Sequence, residues 1–266
     1  MTSSVHWDPA QYRRYDDERG RPFLELLSRV DSARGDAEAP SYVVDLGCGP
    51  GQLTRLLADR WPAAVVHGID SSPDMVESAH EHAIDGRLGF AVGDIATWEA
   101  QRPVDVLVAN AALHWVAGHV DLLSRFAGWL APGGVLAFQV PDNFTEPSHT
   151  LLRDLRLSPR WRDLVGADAD RGAGVERPER YLRALVDAGL DADVWQTSYL
   201  HVLQGEDAVL EWVKGTALRP VLSQLEGSER EDFLAEYAAA LRAAYPAEPF
   251  GTIFPFRRTF AVARRR

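Results

Sequence analysis

Cysteine is almost absent from this 266-residue sequence, since Cys48 is the single one, and an internal disulfide bond is therefore excluded. A reducing compartment, the cytoplasm, is expected. Basic residues are also outnumbered, 28 Lys and Arg against 39 Asp and Glu, which gives a formal net charge of −11. Because phosphate groups bind to basic surfaces, neither a nucleic acid nor a membrane is expected as a partner. The sequence has no run of about 18 apolar residues that could span a membrane, and no signal peptide is visible at its start.

What is present is the composition of a globular protein, 46% hydrophobic and 25% charged, in a chain long enough for one large domain. Between residues 41 and 141, short apolar runs alternate with helical segments. Apolar runs without strict alternation are typical of parallel strands that are buried on both faces. The order predicts a doubly wound α/β sheet, with strands at Tyr42–Leu46, Val65–Ile69, Leu88–Val92, Val104–Ala109 and Val135–Val140.

The segments outside this alternation are mostly helical. Gly20 is expected to break the N-terminal helix, and the segment Ala131–Gly134 is expected to be a turn. Ser228 and Glu231 have the spacing of a capping box, which predicts a helix that begins at Ser228. The predicted parts of this single domain are a helical cover over 1–40, helical insertions that form a cap over 142–190 and 205–246, and final strands over 192–202 and 256–264.

The most specific feature is the glycine loop, residues 47 to 51, which follows the first predicted strand. Gly47, Gly49 and Gly51 occupy every second position, and Asp45 precedes them. A dinucleotide-binding loop would instead space its glycines as Gly-x-Gly-x-x-Gly, so that a helix N-terminus faces a pyrophosphate. An acidic residue aimed into the loop would repel a pyrophosphate and would suit an amine or a sulfonium. The pattern therefore indicates S-adenosylmethionine, which carries both, as the cofactor.

Side chains at the ends of the later predicted strands agree with this cofactor. Asp70 is placed to accept hydrogen bonds from both ribose hydroxyls. Asp94 is placed to accept one from the adenine amino group, while Ile95 and Met75 would supply apolar contacts. The pair Asn110-Ala111, after the fourth strand, is expected beside the methionine part. All lie at the carboxyl ends of strands, where open α/β sheets bind ligands.

These residues also have structural interpretations. Asp45 and Asp70 could instead cap helices, and Asp94 could be an ordinary turn residue. Cys48 is interpreted as a small packed residue rather than a reactive thiol. No metal ion is expected, because the histidines lack the convergent partners of a metal site.

The strand-end residues, closed by the segment 130–134, resemble the class I S-adenosylmethionine-dependent methyltransferase family over residues 40 to 140. The resemblance implies a Rossmann-like fold whose seven-stranded sheet ends in an antiparallel strand, here Phe256–Ala263. It also implies an enzyme that transfers a methyl group and releases S-adenosylhomocysteine. The residues expected to bind the cofactor are Asp45, Gly47, Cys48, Gly49, Gly51, Asp70, Ser71, Met75, Asp94, Ile95, Asn110, Ala111 and Trp115.

Segments outside the sheet are similar to a narrower family, the trans-aconitate methyltransferases, nearly from end to end. The similarity includes Trp7-Asp8-Pro9, Pro141-Asp142-Asn143, Trp212-Val213 and Leu218-Arg219-Pro220. It implies a small tricarboxylate substrate, one carboxylate of which is methylated by in-line displacement. Because a carboxylate with a pKa of about 4 is already ionised at neutral pH, no general base and no catalytic side chain are expected.

The other carboxylates of such a substrate need cationic partners, and the planar guanidinium of Arg can hold a carboxylate through two hydrogen bonds. Another small carboxylic acid, a hydroxyl or an amine stays open as the acceptor, and so does a non-catalytic ligand-binding protein of the same fold. The oligomeric state is left open, and a monomer is compatible with the sequence. The residues expected to contact the substrate are Trp7, Tyr12, Arg19, Trp115, Tyr199, His201, Trp212, Arg219 and Arg258.

Overall fold

The computed structural model of the protein describes residues 16–35, 38–165 and 174–266, with side chains from residue 20 onward. The chain is divided into two compact units. No helix among the described residues is long and apolar enough to cross a membrane. In the described ranges, the larger unit contains residues up to 141, then 174–197 and 259–266, and the smaller unit contains residues 142–165 and 198–258.

The strands of the described chain belong to one sheet. They are β1 (Tyr42–Leu46), β2 (Val65–Asp70), β3 (Leu88–Val92), β4 (Val104–Asn110), β5 (Leu130–Pro141), β6 (Leu190–Leu203), β7 (Ala247–Glu248) and β8 (Gly251–Arg265). The strand order is β3-β2-β1-β4-β5-β8-β6, and β7 pairs with β8. Neighbouring strands from β1 to β5 are parallel, whereas the C-terminal strands are antiparallel. The predicted doubly wound sheet with an antiparallel end is confirmed, and β7 is one strand more than the predicted seven.

The central strands are apolar because both faces of the sheet are covered. All five residues of β1 are buried, and the last five residues of β4 are buried as well. The register pairs Leu46 with Ile69 and Asp45 with Gly68. The carboxyl ends of β1 and β2 are therefore level, and the loops that follow them meet at one edge of the sheet.

Nine helices connect and flank the strands in the described residues. The first, α1 (Asp16–Arg34), extends over the segment that was predicted to break at Gly20, and it contains Pro22. Phe23, Leu26 and Val30 are completely buried at helical spacing, so packing of this face outweighs the poor helix propensity of Gly and Pro. The helices are α1 (Asp16–Arg34), α2 (Gln52–Arg60), α3 (Pro73–Ala79), α4 (His119–Trp129), α5 (Pro147–Arg156), α6 (Pro178–Asp187), α7 (Ala208–Lys214), α8 (Arg219–Leu222) and α9 (Gly227–Ala244).

The expected turn before β5 is wrong, because β5 already begins at Leu130, opposite Val104 of β4. The register then shifts, and Val106 lies opposite Val135, so the extra residues form a bulge. Gly134 is required there because a Cβ would lie 2.7 Å from the carbonyl oxygen of Val104. The residues Ala131–Gly134, which have the sequence pattern of a turn, therefore form a bulge within a strand.

The expected capping box at the start of α9 is also wrong. The helix begins at Gly227, so Ser228 lies inside its first turn and makes no side-chain cap. Leu225 is 2% exposed, and Gly227 has a φ of 52°. The helix therefore begins one residue before Ser228, and the left-handed conformation of its first residue suits a glycine.

The smaller unit has an apolar interior of its own. Trp161 packs edge-on against Phe233 of α9 with 5.2 Å between ring centroids. The hydroxyl of Tyr237, also on α9, donates to the carbonyl oxygen of Ser148 on α5, and the hydroxyl of Tyr245 accepts from the Ser148 backbone N–H at 3.0 Å. These contacts join α5 and α9 to each other.

Candidate active site

The glycine loop connects β1 to α2 and is folded by contacts within the larger unit. The backbone N–H groups of Gly47 and Cys48 donate to the carbonyl oxygen of Ile69 at 2.7 and 3.0 Å. A Cβ at Gly47 would lie 2.3 Å from Cβ of Ala112. Gly49 has a φ of 55°, but no atom lies within 4 Å of the position that its Cβ would occupy. Close packing therefore requires glycine at position 47, whereas position 49 leaves backbone that a ligand can approach.

Asp45 lies beneath this loop and is 2% exposed. Its Oδ2 accepts a hydrogen bond from Oγ1 of Thr54 on α2 at 2.6 Å. Its Oδ1 is buried and has no hydrogen-bond partner among the described residues. Burial and the neighbouring charge of Asp70 raise the pKa of Asp45 to about 7, although the Thr54 hydrogen bond lowers it. A buried carboxylate oxygen without a donor is costly, so this oxygen suits a cationic ligand group.

Asp70 joins the glycine loop to the start of α3. Its Oδ2 accepts from the Gly49 N–H, and its Oδ1 accepts from the Ser72 N–H, each at 2.9 Å. Burial raises the pKa of Asp70, and hydrogen bonds from the backbone of Ser72, Gly49 and Ser71 oppose that shift. Each carboxylate oxygen can accept more than one hydrogen bond, so Asp70 keeps capacity for ribose hydroxyls. Ser71 is exposed beside it.

The loop after β3 holds the residues expected near adenine. Asp94 is exposed, and its Oδ1 accepts from the Ala96 N–H at 2.8 Å. Ile95 is 7% exposed, and Met75 on α3 is 4% exposed. The structure thus gives Asp94 a turn-forming role, which leaves its second carboxylate oxygen for a ligand.

Arg125 of α4 supports this loop, although no sequence pattern predicted that role. Its Nη1 donates to the Ala96 carbonyl oxygen at 2.7 Å, and its Nη2 donates to the Ile95 carbonyl oxygen at 2.8 Å. Its guanidinium carbon lies 5.4 Å from the ring centroid of Trp129. An isolated Arg on an amphipathic helix has no local pattern that distinguishes it from a solvated charge.

The end of β4 is shaped by its hydrogen bonds with β5. Oδ1 of Asn110 accepts from Nε2 of Gln139 at 2.8 Å, and Gln139 is completely buried. Ala111 has a φ of 51°, which is strained for a residue with a Cβ, and its N–H donates to the Gln139 carbonyl oxygen at 2.9 Å. Strained backbone of this kind is frequent at functional sites. Trp115 is half-buried, with its ring centroid 4.7 Å from that of His114.

These residues fit S-adenosylmethionine better than a dinucleotide. The charged groups next to the glycine loop are the carboxylates of buried Asp45 and half-buried Asp70, which suit an ammonium and ribose hydroxyls and disfavour a pyrophosphate. In the described part of the chain, no group of three or more His, Cys, Asp and Glu side chains could hold a metal ion. Burial and the charges of Asp45 and Asp70 raise the pKa of the Cys48 thiol strongly, so the thiol is unreactive.

The residues expected to contact the substrate belong partly to the smaller unit, where four of them are buried. The ring centroid of His201 lies 6.2 Å from that of Tyr199 and 4.9 Å from that of Trp212. The guanidinium carbon of Arg258 lies 4.7 Å from the ring centroid of Phe256, which in turn lies 5.7 Å from that of Trp212. The structure therefore brings these side chains into one aromatic cluster.

The other expected substrate residues are placed differently. Arg219 is half-buried at the first position of α8. Trp115 belongs to the larger unit. Trp7 and Tyr12 lie outside the described residues, and the side chain of Arg19 does as well.

Asn143, two residues after the end of β5, is a further candidate, and it lies in the segment Pro141-Asp142-Asn143 that resembles the trans-aconitate methyltransferases. Its Oδ1 accepts from the backbone N–H of Arg257 at 2.8 Å. A backbone N–H can only donate, so the other terminal atom must be the amino nitrogen. Asn143 is 1% exposed, and its Nδ2 has no hydrogen-bond partner in the described chain. A buried amide with two unused donors is suited to a carboxylate ligand.

Arg257 itself is held by acidic side chains. Its Nε donates to Oδ2 of Asp142 at 3.3 Å, and its Nη1 lies 3.7 Å from Oε1 of Glu146. Because these two acidic partners neutralise its charge, Arg257 is interpreted as a structural residue rather than as a residue that binds the substrate.

Comparisons with known proteins show which proteins this chain is similar to. Residues 43–134 match a family model described as a methyltransferase domain. A curated relative from Streptomyces avermitilis, named trans-aconitate 2-methyltransferase, is 52% identical over 97% of this chain and 97% of its own. One of the same name from Mycolicibacterium gilvum is 50% identical over 97% of this chain and 98% of its own. Haemonchus contortus phosphoethanolamine N-methyltransferase 2, solved in complex with S-adenosyl-L-methionine, has a TM-score of 0.55 at 18% identity over 92% of this chain and 53% of that chain.

The matched domain together with the curated relatives defines the class: the protein is an S-adenosylmethionine-dependent methyltransferase. The similarity to the Haemonchus structure concerns the fold alone. The two curated relatives, each at least 50% identical over nearly the full length, define the narrower group: the chain belongs to the trans-aconitate 2-methyltransferase family. The predicted enzyme class and cofactor are thereby confirmed, whereas the individual residue contacts stay predictions.

Proposed function

We propose that the protein transfers a methyl group from S-adenosylmethionine to one carboxylate of trans-aconitate, which gives the monomethyl ester. The main support is the set of relatives of that name, 52% and 50% identical over 97% of this chain. A second support is the burial of Arg258, 4% exposed, in a protein with a net charge of −11. A buried cation in an acidic protein suits an anionic ligand.

Asp45 and Asp70 hold the two ends of the cofactor in this proposal. Oδ1 of Asp45 accepts a hydrogen bond from the α-ammonium of the methionine part. Asp70 accepts from the ribose hydroxyls, while Met75 and Ile95 lie against adenine and Asp94 accepts from its amino group. The remaining cofactor contacts come from Gly47, Cys48, Gly49, Gly51, Ser71, Asn110, Ala111 and Trp115.

The acid is held by donors rather than by a base. Arg219, Arg258 and Nδ2 of Asn143 bind the two carboxylates that do not react, and they orient the third. His201 and Tyr199 donate further hydrogen bonds, and aromatic rings exclude water. Trp7, Tyr12, Arg19, Trp115 and Trp212 are the remaining proposed contacts of the acid, and residues 142–190 and 205–246 are the proposed substrate cap.

The cofactor supplies an electrophilic methyl group, which a carboxylate oxygen receives as the carbon–sulfur bond breaks and its electron pair stays on sulfur. The protein contributes alignment of the two ligands and exclusion of water. Because the reacting carboxylate is already ionised at neutral pH, no side chain has to remove a proton.

A methyl-transfer assay with trans-aconitate, cis-aconitate, isocitrate and citrate tests the proposed substrate, with the ester position identified by NMR. We expect the highest kcat/KM for trans-aconitate. A higher kcat/KM for another acid, or no transfer to any of them, would refute the choice of substrate.

The pH dependence of the rate tests the chemistry separately. With saturating cofactor, a pre-ionised carboxylate acceptor predicts that kcat does not fall as the pH drops through the neutral range, whereas a hydroxyl acceptor that needs a general base predicts such a fall. We also propose a cytoplasmic location for the enzyme and no nucleic-acid or membrane partner, on the basis of the single cysteine and the net charge of −11.

A further inference from the structure

Thr54 of α2 is a completely buried polar side chain with no role in the proposed reaction so far. Its Oγ1 donates to Oδ2 of Asp45 at 2.6 Å, which is short for a hydrogen bond to oxygen. The two residues are nine positions apart, on a strand and on the helix that follows the glycine loop. This hydrogen bond therefore connects the two elements that enclose the loop.

The two oxygens of the Asp45 carboxylate have different surroundings. Oδ2 is occupied by the Thr54 hydroxyl, whereas Oδ1 is buried and has no partner in the described residues. A hydroxyl carries a single proton to donate, so its donation to Oδ2 fixes the rotation of the carboxylate. The oxygen left over is the one that can receive a ligand.

The charged state of Asp45 depends on the same hydrogen bond. The titratable groups around it are Asp70 and the Cys48 thiol, and neither is a cation at neutral pH. Burial and Asp70 disfavour the carboxylate, and Thr54 is the described group that favours it. Without the hydroxyl, Asp45 would hold a proton to higher pH and would lose its fixed orientation.

We propose that Thr54 is a positioning residue, which orients the Asp45 carboxylate so that Oδ1 receives the α-ammonium of S-adenosylmethionine. The inference rests on the role of Asp45 in the proposed function. The chemical class that Thr54 selects is therefore a ligand with a free amino acid end, and not adenine nucleosides in general.

Two ligands distinguish this role from a purely structural one. S-adenosylhomocysteine has the amino acid end, whereas 5′-methylthioadenosine has the same adenine, ribose and sulfur without the ammonium. Thr54→Val keeps the size of the side chain and removes the hydroxyl. We expect the Kd of S-adenosylhomocysteine, measured by calorimetry, to rise about tenfold or more, as for the loss of one charge-assisted hydrogen bond. The Kd of 5′-methylthioadenosine should change less than about twofold.

Two further variants serve as controls. Thr54→Ser restores the hydroxyl and should bring the Kd of S-adenosylhomocysteine back to within about threefold of the wild-type value. Thr252→Val changes another buried threonine, 7% exposed on β8, and should alter neither Kd. If Thr54→Val is too unstable for calorimetry, Thr54→Cys, which replaces the hydroxyl by a thiol that is only a weak donor, is compared in the same way.

An equal loss of affinity for both ligands, or no loss for either, would overturn the inference. Asp45→Asn separates this failure from failure of the proposed function. If Asp45→Asn weakens S-adenosylhomocysteine selectively and Thr54→Val does not, only the role of Thr54 is wrong. If Asp45→Asn shows no selectivity between the ligands, the proposed contact of Asp45 with the ammonium is wrong as well.

Discussion

The affinity for S-adenosylhomocysteine should fall as the pH drops from 8 to 6, and Asp45→Asn should remove that fall. Asp45 is 2% exposed, and burial with the charge of Asp70 raises its pKa to about 7. The ammonium of the ligand needs the ionised carboxylate, so affinity is fully present above the raised pKa and is lost as the pH falls through it. The ligand ammonium itself stays protonated over this range.

The magnitude follows from the fraction of Asp45 that is ionised. With a pKa of about 7, that fraction is nearly complete at pH 8 and roughly one-tenth at pH 6, so the Kd should rise about tenfold. The raised pKa of Asp70 also contributes to the pH dependence. S-adenosylhomocysteine and 5′-methylthioadenosine both carry the ribose. The ratio of their Kd values therefore cancels the contribution of Asp70 and leaves that of Asp45.

Calorimetry at pH 6, 7 and 8 and constant ionic strength measures this ratio for S-adenosylhomocysteine and 5′-methylthioadenosine. In the wild type, the ratio should change about tenfold between pH 8 and 6, and in Asp45→Asn it should be flat. The same pH dependence for both ligands, or an unchanged pH dependence in Asp45→Asn, would refute the assignment of the buried carboxylate to the ammonium.

Further predictions concern stability, the glycine loop and the acid. Asp45→Asn should stabilise the ligand-free protein at pH 8, because folding raises the pKa of Asp45 in the wild type from 3.8 to about 7 and so costs at most about 4 kcal/mol at that pH. This gain in stability should disappear near pH 4, as measured by thermal unfolding. Gly47→Ala, with a Cβ 2.3 Å from that of Ala112, should destabilise the protein by about 3 kcal/mol. Gly49→Ala should cost only about 1–2 kcal/mol but should abolish tight cofactor binding, and normal affinity would contradict an open approach at Gly49. Asn143→Asp, which keeps the acceptor for the Arg257 N–H, should raise the KM for the acid at least about tenfold by charge repulsion with little change in cofactor Kd. Arg219→Ala should also raise that KM and spare the cofactor, and equal loss of both affinities would refute its role.

The sheet of the larger unit was predictable because its signals are local. An apolar run followed by an acidic or polar residue marks the carboxyl end of a buried parallel strand, and the observed bounds of β1 and β3 are the predicted ones. The segment at Ala131–Gly134 was not predictable, because a bulge and a turn use the same residues, and only the pairing with Val104 distinguishes them. The unbroken α1 was missed for a related reason, since burial of Phe23 and Val30 overrides a local preference.

The cofactor side of the site was accessible from the sequence, but its supporting residues were not. Asp45, Asp70 and the glycines follow strands directly, so their position in the chain specifies their position in the fold. Thr54, Arg125 and Gln139 act through contacts with residues that are 9, 29 or 30, and 29 positions away. No local sequence pattern predicts such contacts, because the two residues of each contact come together only when strands and helices pack.

The sequence by itself determined the class of the protein: three glycines behind Asp45, with acidic residues after two further strands, specify a sulfonium cofactor rather than a pyrophosphate. These features depend on the alternation of strand, loop and helix, which short-range preferences dictate. Only the tertiary structure decided how the site is tuned. It buried Asp45, gave one carboxylate oxygen to Thr54 and left the other without a partner. That asymmetry arises from desolvation and from the approach of a helix to a strand, neither of which any single stretch of sequence contains.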